Sequence, residues 1–348
     1  MKGEGRYFER GVIRTLCSYP IKLFGYKCAG LCFMAVVVIL LLFNPSLRSS
    51  IQLTTTPDTV GDVGFNDFHY KHLQRRLPQC IIIGARKAGT RALLGFLDLH
   101  PNIVTNKKEE HFFDRNENYK NGLEWYRNHM PLSLPDQVTM EKTPAYFHSE
   151  QAVKRVHEMN SSVRLILIVR DPVVRAVSDW YQLELKRLRN DGPSIPFETT
   201  VLRKDGSINS SNEVLQRSMY SVYYKKWTEL FSPRQIHIVD GDAFVKNPAR
   251  ELEQIEIFLK IPHYLTEDMF VRNESKGFYC AVKTSGVKCL NDSKGRQHPD
   301  VDPQVLVKLR SFFVKFNKRF FKAIDKEFNW SSGNRHIKHR SRKRKSAD

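Results

Sequence analysis

Residues 81–91 read Ile-Ile-Ile-Gly-Ala-Arg-Lys-Ala-Gly-Thr-Arg, an apolar run that drives straight into a glycine-bracketed turn carrying cations. No other part of the chain restricts the fold as much. Three consecutive isoleucines with no polar alternation fit a strand covered on both faces, and the apolar spacing through Ala92, Leu93, Leu94 and Leu97 continues as a helix. A strand that feeds a helix through so tight a turn aims backbone N–H groups and the positive end of the helix at one point, a cradle for a phosphate-like anion. Gly84 and Gly89 keep the G-x-x-x-x-G spacing of nucleotide loops, yet Thr90-Arg91 stand where a P-loop NTPase carries Lys followed by Ser or Thr. The lysine lies inside the loop instead, at Lys87. Such a turn can hold a phosphate- or sulfate-like group and set one cation on it without the metal-ligand arrangement of a kinase. The plainer alternative is an ordinary βα turn with two exposed cations.

The same pattern recurs twice more. Leu165-Ile166-Leu167-Ile168-Val169 is a second buried strand, with Pro172 where a helix starts. Ile236-His237-Ile238-Val239 is a third, and Pro248 leads into a helix along Leu252, Ile255, Phe258 and Leu259. Repeated βα units with continuous apolar strands predict an α/β fold, a P-loop-like parallel sheet flanked by helices, whose ligands bind beyond the strand C-termini. Lys142 ends a further strand, just before Thr143-Pro144, and so reaches the same edge. Arg170-Asp171-Pro172 closes the second strand and Ser178 follows two helical turns later. An Arg fork and a hydroxyl converging there suit a second phosphate, although Asp171 can also simply neutralise Arg170. Two anion sites on neighbouring strands point to a nucleotide with phosphates at two positions.

The rest of the chain places this domain in a compartment. Residues 28–47 are uncharged and 20 in number, long enough to cross a thin bilayer. Lys2, Arg6, Arg10, Arg14, Lys22 and Lys27 precede them against Glu4 and Glu9, which favours a cytoplasmic N-terminus. The expected organisation is a cytoplasmic tail (1–27), a signal-anchor (28–47), a lumenal stem rich in Ser, Thr and Asp (48–77), a catalytic domain (78–332) and a basic tail (333–348). A cleaved signal peptide is the rival, but the charged stretch before the apolar run is long and no A-x-A-like site follows. Asn160, Asn209, Asn273, Asn291 and Asn329 each open an N-x-[ST] acceptor, and in an oxidising lumen the close pair Cys280 and Cys289 reads as a disulfide. Cys80 is expected as a buried thiol. The net charge of +19 calls for a polyanionic partner. For a lumenal body that partner is an acidic polysaccharide and not nucleic acid.

The cradle, the R-D-P-x-x-R-x-x-S element of Arg170 to Ser178 and the segment Glu109-Glu110-His111-Phe112-Phe113-Asp114 together resemble the heparan sulfate glucosamine 3-O-sulfotransferases of the Golgi. Glu141-Lys142-Thr143-Pro144-Ala145-Tyr146-Phe147, Gly277-Phe278-Tyr279-Cys280 and Ser293-Lys294-Gly295-Arg296-Gln297-His298-Pro299 match that family in order and spacing. The likeness runs from about Pro78 to Trp330. It implies a single-pass type II Golgi membrane protein with the sulfotransferase fold, 3′-phosphoadenosine 5′-phosphosulfate (PAPS) as donor and heparan sulfate proteoglycan chains as partner. By the same likeness Lys87, Ala88, Gly89, Thr90 and Arg91 surround the 5′-phosphosulfate, and Arg170 and Ser178 meet the 3′-phosphate. Tyr279 and Lys294, Gly295, Arg296, Gln297 and His298 close over the nucleotide.

Sulfuryl transfer to a sugar hydroxyl needs in-line attack, a base for the hydroxyl proton and cations for the bridging and equatorial oxygens. Glu109 is the expected base, since the family's glutamate falls on it, while Glu110 and His111 rival it on residue type alone. His111 and Asp114 are expected to position the acceptor or the base, and Lys87 and Lys142 to hold transition-state charge. The donor already carries an activated phosphate–sulfate anhydride, so no metal is expected, and the histidines lack tight ligand spacing. Resemblance places Arg86, Arg91, Lys142, Gln182, Lys294 and Arg296 along the acceptor. Ala88 in place of a frequent loop glycine, Trp180 in place of a usual tyrosine and the basic tail depart from the family pattern. Sulfation of another position or glycosaminoglycan, or catalytically silent binding of heparan sulfate, are the alternative functions.

Overall fold

The apolar runs become strands of one sheet. In chain order the principal elements are β1 (Cys80–Gly84), α1 (Thr90–Leu97), β2 (Ile103–Thr105), β3 (Val138–Lys142), α2 (Glu150–Met159), β4 (Arg164–Val169), α3 (Pro172–Arg189) and α4 (Tyr220–Thr228). They continue with β5 (Ile236–Asp240), α5 (Gly241–Lys246), α6 (Pro248–Leu259), β6 (Phe270–Asn273), β7 (Phe278–Lys283), β8 (Gly286–Lys288) and α7 (Pro303–Ile324). The computed structural model describes residues 72–275, 277–284, 286–289 and 299–330. The expected cytoplasmic tail (1–27), the anchor (28–47), the stem up to residue 71 and the basic tail (333–348) lie outside the described residues. Among the described residues no helix is long and apolar enough to cross a membrane.

The five central strands are parallel, in the order β2-β3-β1-β4-β5. All of β1 and all but the first residue of β4 are buried, as expected for a sheet covered on both faces. The chain moves from β1 to one side, to β2 and then β3, and then crosses to the other side at β4. Ligand crevices form at such a reversal. Pairing of Ile82 with both Lys142 and Ile166, and of Val169 with Asp240, brings the ends of β1, β3, β4 and β5 to one edge.

Local chemistry starts the helices at that edge. Asp171 caps α3 by accepting from the N–H groups of Val173 (2.8 Å) and Val174 (3.3 Å), with Pro172 in the first turn. Asn247 and Pro248 do the same for α6. The inner face of α3 (Val173, Ala176, Val177, Trp180) packs on Val305, Leu306, Leu309 and Phe313 of α7, a cluster separate from the core around the sheet. Trp180 belongs to that cluster, its ring 5.5 Å from Phe197 and its Nε1–H donating to the Ile195 carbonyl at 3.0 Å. Strands β6, β7 and β8 form a small antiparallel sheet, and Cys280 in β7 is disulfide-bonded to Cys289 just beyond β8. Cys80 is the free cysteine among the described residues, and burial pushes its thiol pKa up.

Gly84 ends β1 where the backbone meets Phe147. A Cβ there would sit 2.6 Å from Phe147 Cβ and 3.4 Å from the Pro144 carbonyl oxygen. Gly84→Ala should therefore destabilise the fold by about 1–3 kcal/mol, the usual cost of overpacking. Urea unfolding checks this, and an unchanged midpoint would mean that Phe147 yields freely.

Candidate active site

The turn after β1 is shaped by two residues in the left-handed region, Lys87 (φ 71) and Gly89 (φ 118). Ala88 is not one of them, which is why alanine is accepted there. Ala85 N–H donates to the Ile168 carbonyl at 2.8 Å, tying the turn to β4, and Ala88 N–H donates to the Ala85 carbonyl at 3.0 Å. Gly241, at the start of α5, closes the turn from the other side. A Cβ on it would lie 2.7 Å from the Val169 carbonyl oxygen and 2.9 Å from that of Ala88.

Beneath the turn, α3 carries Arg175, Ser178, Asp179 and Gln182 at helical spacing, and Arg175, Asp179 and Gln182 bond to it. Asp179 is fully buried and bonds three guanidinium groups: Arg86 Nε at 2.6 Å, Arg175 Nη1 at 3.1 Å and Arg217 Nη1 at 3.4 Å. Arg175 also donates to the Arg86 carbonyl at 3.3 Å and to Ser218 Oγ at 2.5 Å. Burial pushes the Asp179 carboxyl up, but Arg175, Arg86 and Arg217 outweigh it and hold the pKa at about 2. Lys87 Nζ donates to Gln182 Oε1 at 2.7 Å. Arg86 and Gln182, both expected along the acceptor, are thus engaged with the loop and its support.

At the end of β4, Arg170 is half-buried. Its Nη2 reaches Asp242 Oδ1 at 3.5 Å, while its Nε is buried with no hydrogen-bond partner. An orphaned, buried guanidinium N–H at the mouth of a strand-to-helix corner suits an anionic ligand group. Asp171 does not neutralise Arg170; besides capping α3 it accepts from Arg310 Nη1 at 2.9 Å. Ser178 is buried on α3, Thr90 is buried in the first turn of α1, and Arg91 beside it is exposed.

The third group lies past the end of β3. Lys142 is 1% exposed and its Nζ is ion-paired with Glu109 Oε1, whose side chain remains 36% exposed. His111 Nε2 lies 3.8 Å from Glu109 Oε2 and its Nδ1 is 2.9 Å from Asp114 Oδ2. The four predicted residues therefore assemble. Glu110, a rival for the base, is turned inward, with Oε1 accepting from Asn106 Nδ2 at 3.0 Å. Of the two adjacent glutamates, Glu109 is the one whose carboxylate is open to solvent. Below lies Glu141, unforeseen from the sequence and fully buried. Burial raises its pKa to about 8 against the pull of Thr143, Tyr126 and Lys142.

Tyr279 is half-buried on β7, beside the disulfide. Lys294, Gly295, Arg296, Gln297, His298 and the acceptor Asn291 lie outside the described residues. Asn160 and Asn329 are exposed, and Asn209 and Asn273 are half-buried. Asp179, Arg217, Gly241, Asp242 and Glu141 escaped the sequence reading. Asp179 alone offered a signal, as a carboxylate on the helical face shared by Arg175 and Ser178.

A family model described as a sulfotransferase domain matches residues 77–315. Heparan sulfate glucosamine 3-O-sulfotransferase 5 of Homo sapiens is 42% identical over 272 residues, 78% of this chain and 79% of its own. The 3B1 enzyme of the same name and organism is 41% identical over 285 residues, 80% of this chain and 71% of its own. Among solved structures, a sulfotransferase from Alicyclobacillus acidocaldarius superimposes with a TM-score of 0.54 at 16% identity, covering 74% of this chain and 99% of that one. This last likeness concerns the fold alone.

Because Asp179 titrates at about 2 in the fold against an ordinary 3.8, its pairing stabilises the protein above the ordinary value and is lost as the pH falls through about 2. Asp179→Asn should cost about 2 kcal/mol at neutral pH, and the gap to the wild type should narrow between about pH 4 and pH 2. Urea unfolding across that range tests it; a gap that does not change with pH would deny the ion pairs their role.

Proposed function

The chain belongs to the sulfotransferases, in the heparan sulfate glucosamine 3-O-sulfotransferase family, and on that footing we propose that it transfers a sulfuryl group from PAPS to the 3-OH of glucosamine residues in heparan sulfate. One observation carries the catalytic part of this reading: the half-exposed carboxylate of Glu109 held by the buried ammonium of Lys142 and flanked by His111 and Asp114. Binding of a polyanion gives no reason to set a carboxylate among cations, whereas proton abstraction does.

In this mechanism Glu109 takes the proton from the acceptor hydroxyl as its oxygen bonds to sulfur. The bond between sulfur and the bridging oxygen breaks, and adenosine 3′,5′-bisphosphate departs with the electron pair. Lys142 and Lys87 oppose the charge that builds on the transferring group and on the bridging oxygen, with Thr90 as a lesser donor. Lys142 also restrains Glu109, so the base is oriented before the acceptor arrives. Asp114 holds the His111 ring through Nδ1, which directs Nε2 toward Glu109. The residues present fit the donor: the turn of Lys87 to Arg91 presents N–H groups and a cation at one corner, and Arg170 with its orphaned Nε waits at the next. PAPS supplies the activated phosphate–sulfate anhydride; the protein supplies orientation and charge.

The acceptor is a sulfated, carboxylated chain, gripped by Arg86, Arg91, Lys142 and Gln182 together with Lys294 and Arg296. Tyr279 and the stretch Lys294 to His298 belong to the nucleotide side. The enzyme acts in the Golgi lumen, held by the segment 28–47 as a type II membrane protein, with glycans on its exposed sequons.

Incubation with sulfur-labelled PAPS and heparan sulfate, followed by mapping of the labelled sugar, should place label on the glucosamine 3-OH. Label at the 2-O, 6-O or N position would assign another specificity, and chain binding without transfer would leave only a heparan sulfate binder. Glu109→Gln should lower kcat by at least about 100-fold, as loss of a general base does, while the donor binds as before. Near-normal turnover would remove Glu109 from the base role.

A further inference from the structure

Adjacent strand residues face opposite ways, and at the end of β3 both members of such a pair hold the segment 109–114. Lys142 grips the Glu109 carboxylate from the side of the reaction. Glu141, turned the other way, sits among aromatic rings with none of its surface exposed. Its Oε1 accepts from the Thr143 hydroxyl and its Oε2 from Tyr126 O–H at 3.2 Å. Thr143 Oγ1 in turn accepts from the backbone N–H of His111 at 3.4 Å. These bonds form one directed chain: His111 N–H to Thr143 hydroxyl to Glu141 carboxyl, with Tyr126 as the second donor.

His111 needs such a support. Its φ of 51 lies in the left-handed region, which a residue with a Cβ occupies only when its surroundings require it. The neighbouring backbone is bound on the same principle. Phe112 N–H donates to Tyr146 O–H at 3.1 Å, and Asn118 Nδ2 donates to the carbonyls of Glu110 (2.8 Å) and His111 (3.1 Å). Tyr126 is fixed by stacking on Phe112 at 4.5 Å. A solitary buried carboxyl is costly unless its acceptor sites are filled, and here both oxygens are bonded to groups that lead back to the segment bearing the base.

We propose that Glu141 is a positioning residue for the transfer reaction: acting through Thr143, it fixes the backbone of His111 and with it the side chains of Glu109, His111 and Asp114. The inference rests on the reading of Glu109 as the base. Because Glu141 is fully buried and, among the described residues, bonded only to Thr143 and Tyr126, it affects the chemical step and leaves binding of the nucleotide alone.

The test compares Glu141→Ala, Glu141→Gln, Thr143→Val and the Glu141→Ala/Thr143→Val pair in the full-length protein. Thr143→Val keeps the shape of the side chain, so it decides the matter even where the alanine variant fails to fold. Glu141→Ala and Thr143→Val should each lower kcat by about 10- to 100-fold, the effect of displacing a reacting group by a fraction of an ångström, with the KM for PAPS within about twofold. The double variant should be no slower than the worse single one, since both cut one chain of bonds. Glu141→Gln, which keeps polar atoms at both positions, should stay within about threefold of the wild type.

Amide hydrogen exchange at His111 gives a readout that needs no turnover: its protection should fall in Glu141→Ala and Thr143→Val and persist in Glu141→Gln. If the wild type transfers no sulfuryl group but His111 loses protection in these variants, the proposed function fails and the link from Glu141 to His111 stands. Unchanged exchange at His111, a folded Thr143→Val with kcat within about twofold of the wild type, or losses of kcat and donor affinity in equal measure would each overturn the positioning role.

Discussion

A buried charge must meet its opposite, and in this protein that requirement organises the reaction edge of the sheet. Asp179 is one carboxylate among three guanidiniums, Arg86 from the turn, Arg175 from its own helix and Arg217 from a distant part of the chain. Removing the anion would leave three cations to repel one another next to a loop shaped for anions. The posture of residues 84–91 therefore depends on α3 as much as on the turn itself. A second pairing of this kind, Lys142 with Glu109, joins the end of β3 to a carboxylate that stays partly exposed.

These two pairings do different work. In the Asp179 cluster the carboxylate and Arg175 are shut off from water, while Arg86 and Arg217 keep part of their surface exposed. In the Glu109 pair the ammonium of Lys142 is buried and the carboxylate is partly open to water. Arg170 falls between the two cases, with one nitrogen near Asp242 and another buried without a partner.

Much of this was legible in the sequence, for a physical reason. Continuous apolar runs such as Ile81–Ile83 and Leu165–Val169 suit strands covered on both faces, and Pro172 and Pro248 mark helix starts by chemistry that is local. Short range also made the Gly84 to Gly89 turn readable, whereas the Glu109 to Asp114 segment was read through the family resemblance, its residue types alone leaving Glu110 and His111 as rivals. The three-residue strand Ile103–Thr105 is too short to show a period, and the antiparallel strands 270–288 depend on pairing with each other and on the disulfide. Asp179, Arg217, Gly241 and Glu141 remained hidden because their meaning lies in contacts across tens of residues. Trp180 shows the reverse error: it drew notice beside Ser178, yet it faces the cluster between α3 and α7.

Gly241 shows how far apart in the chain the parts of one small cradle can lie. The turn after β1 has the form it does because the first residue of α5, more than 150 positions downstream, lacks a side chain and lets two carbonyls approach. A peptide copied from residues 80–97 and transplanted to another sheet would carry the glycines and the lysine but neither the neighbour that presses on them nor the acid that gathers their arginine. The proposed anion site is a property of the assembled edge, and evolution can change it by altering residues far outside the motif that advertises it.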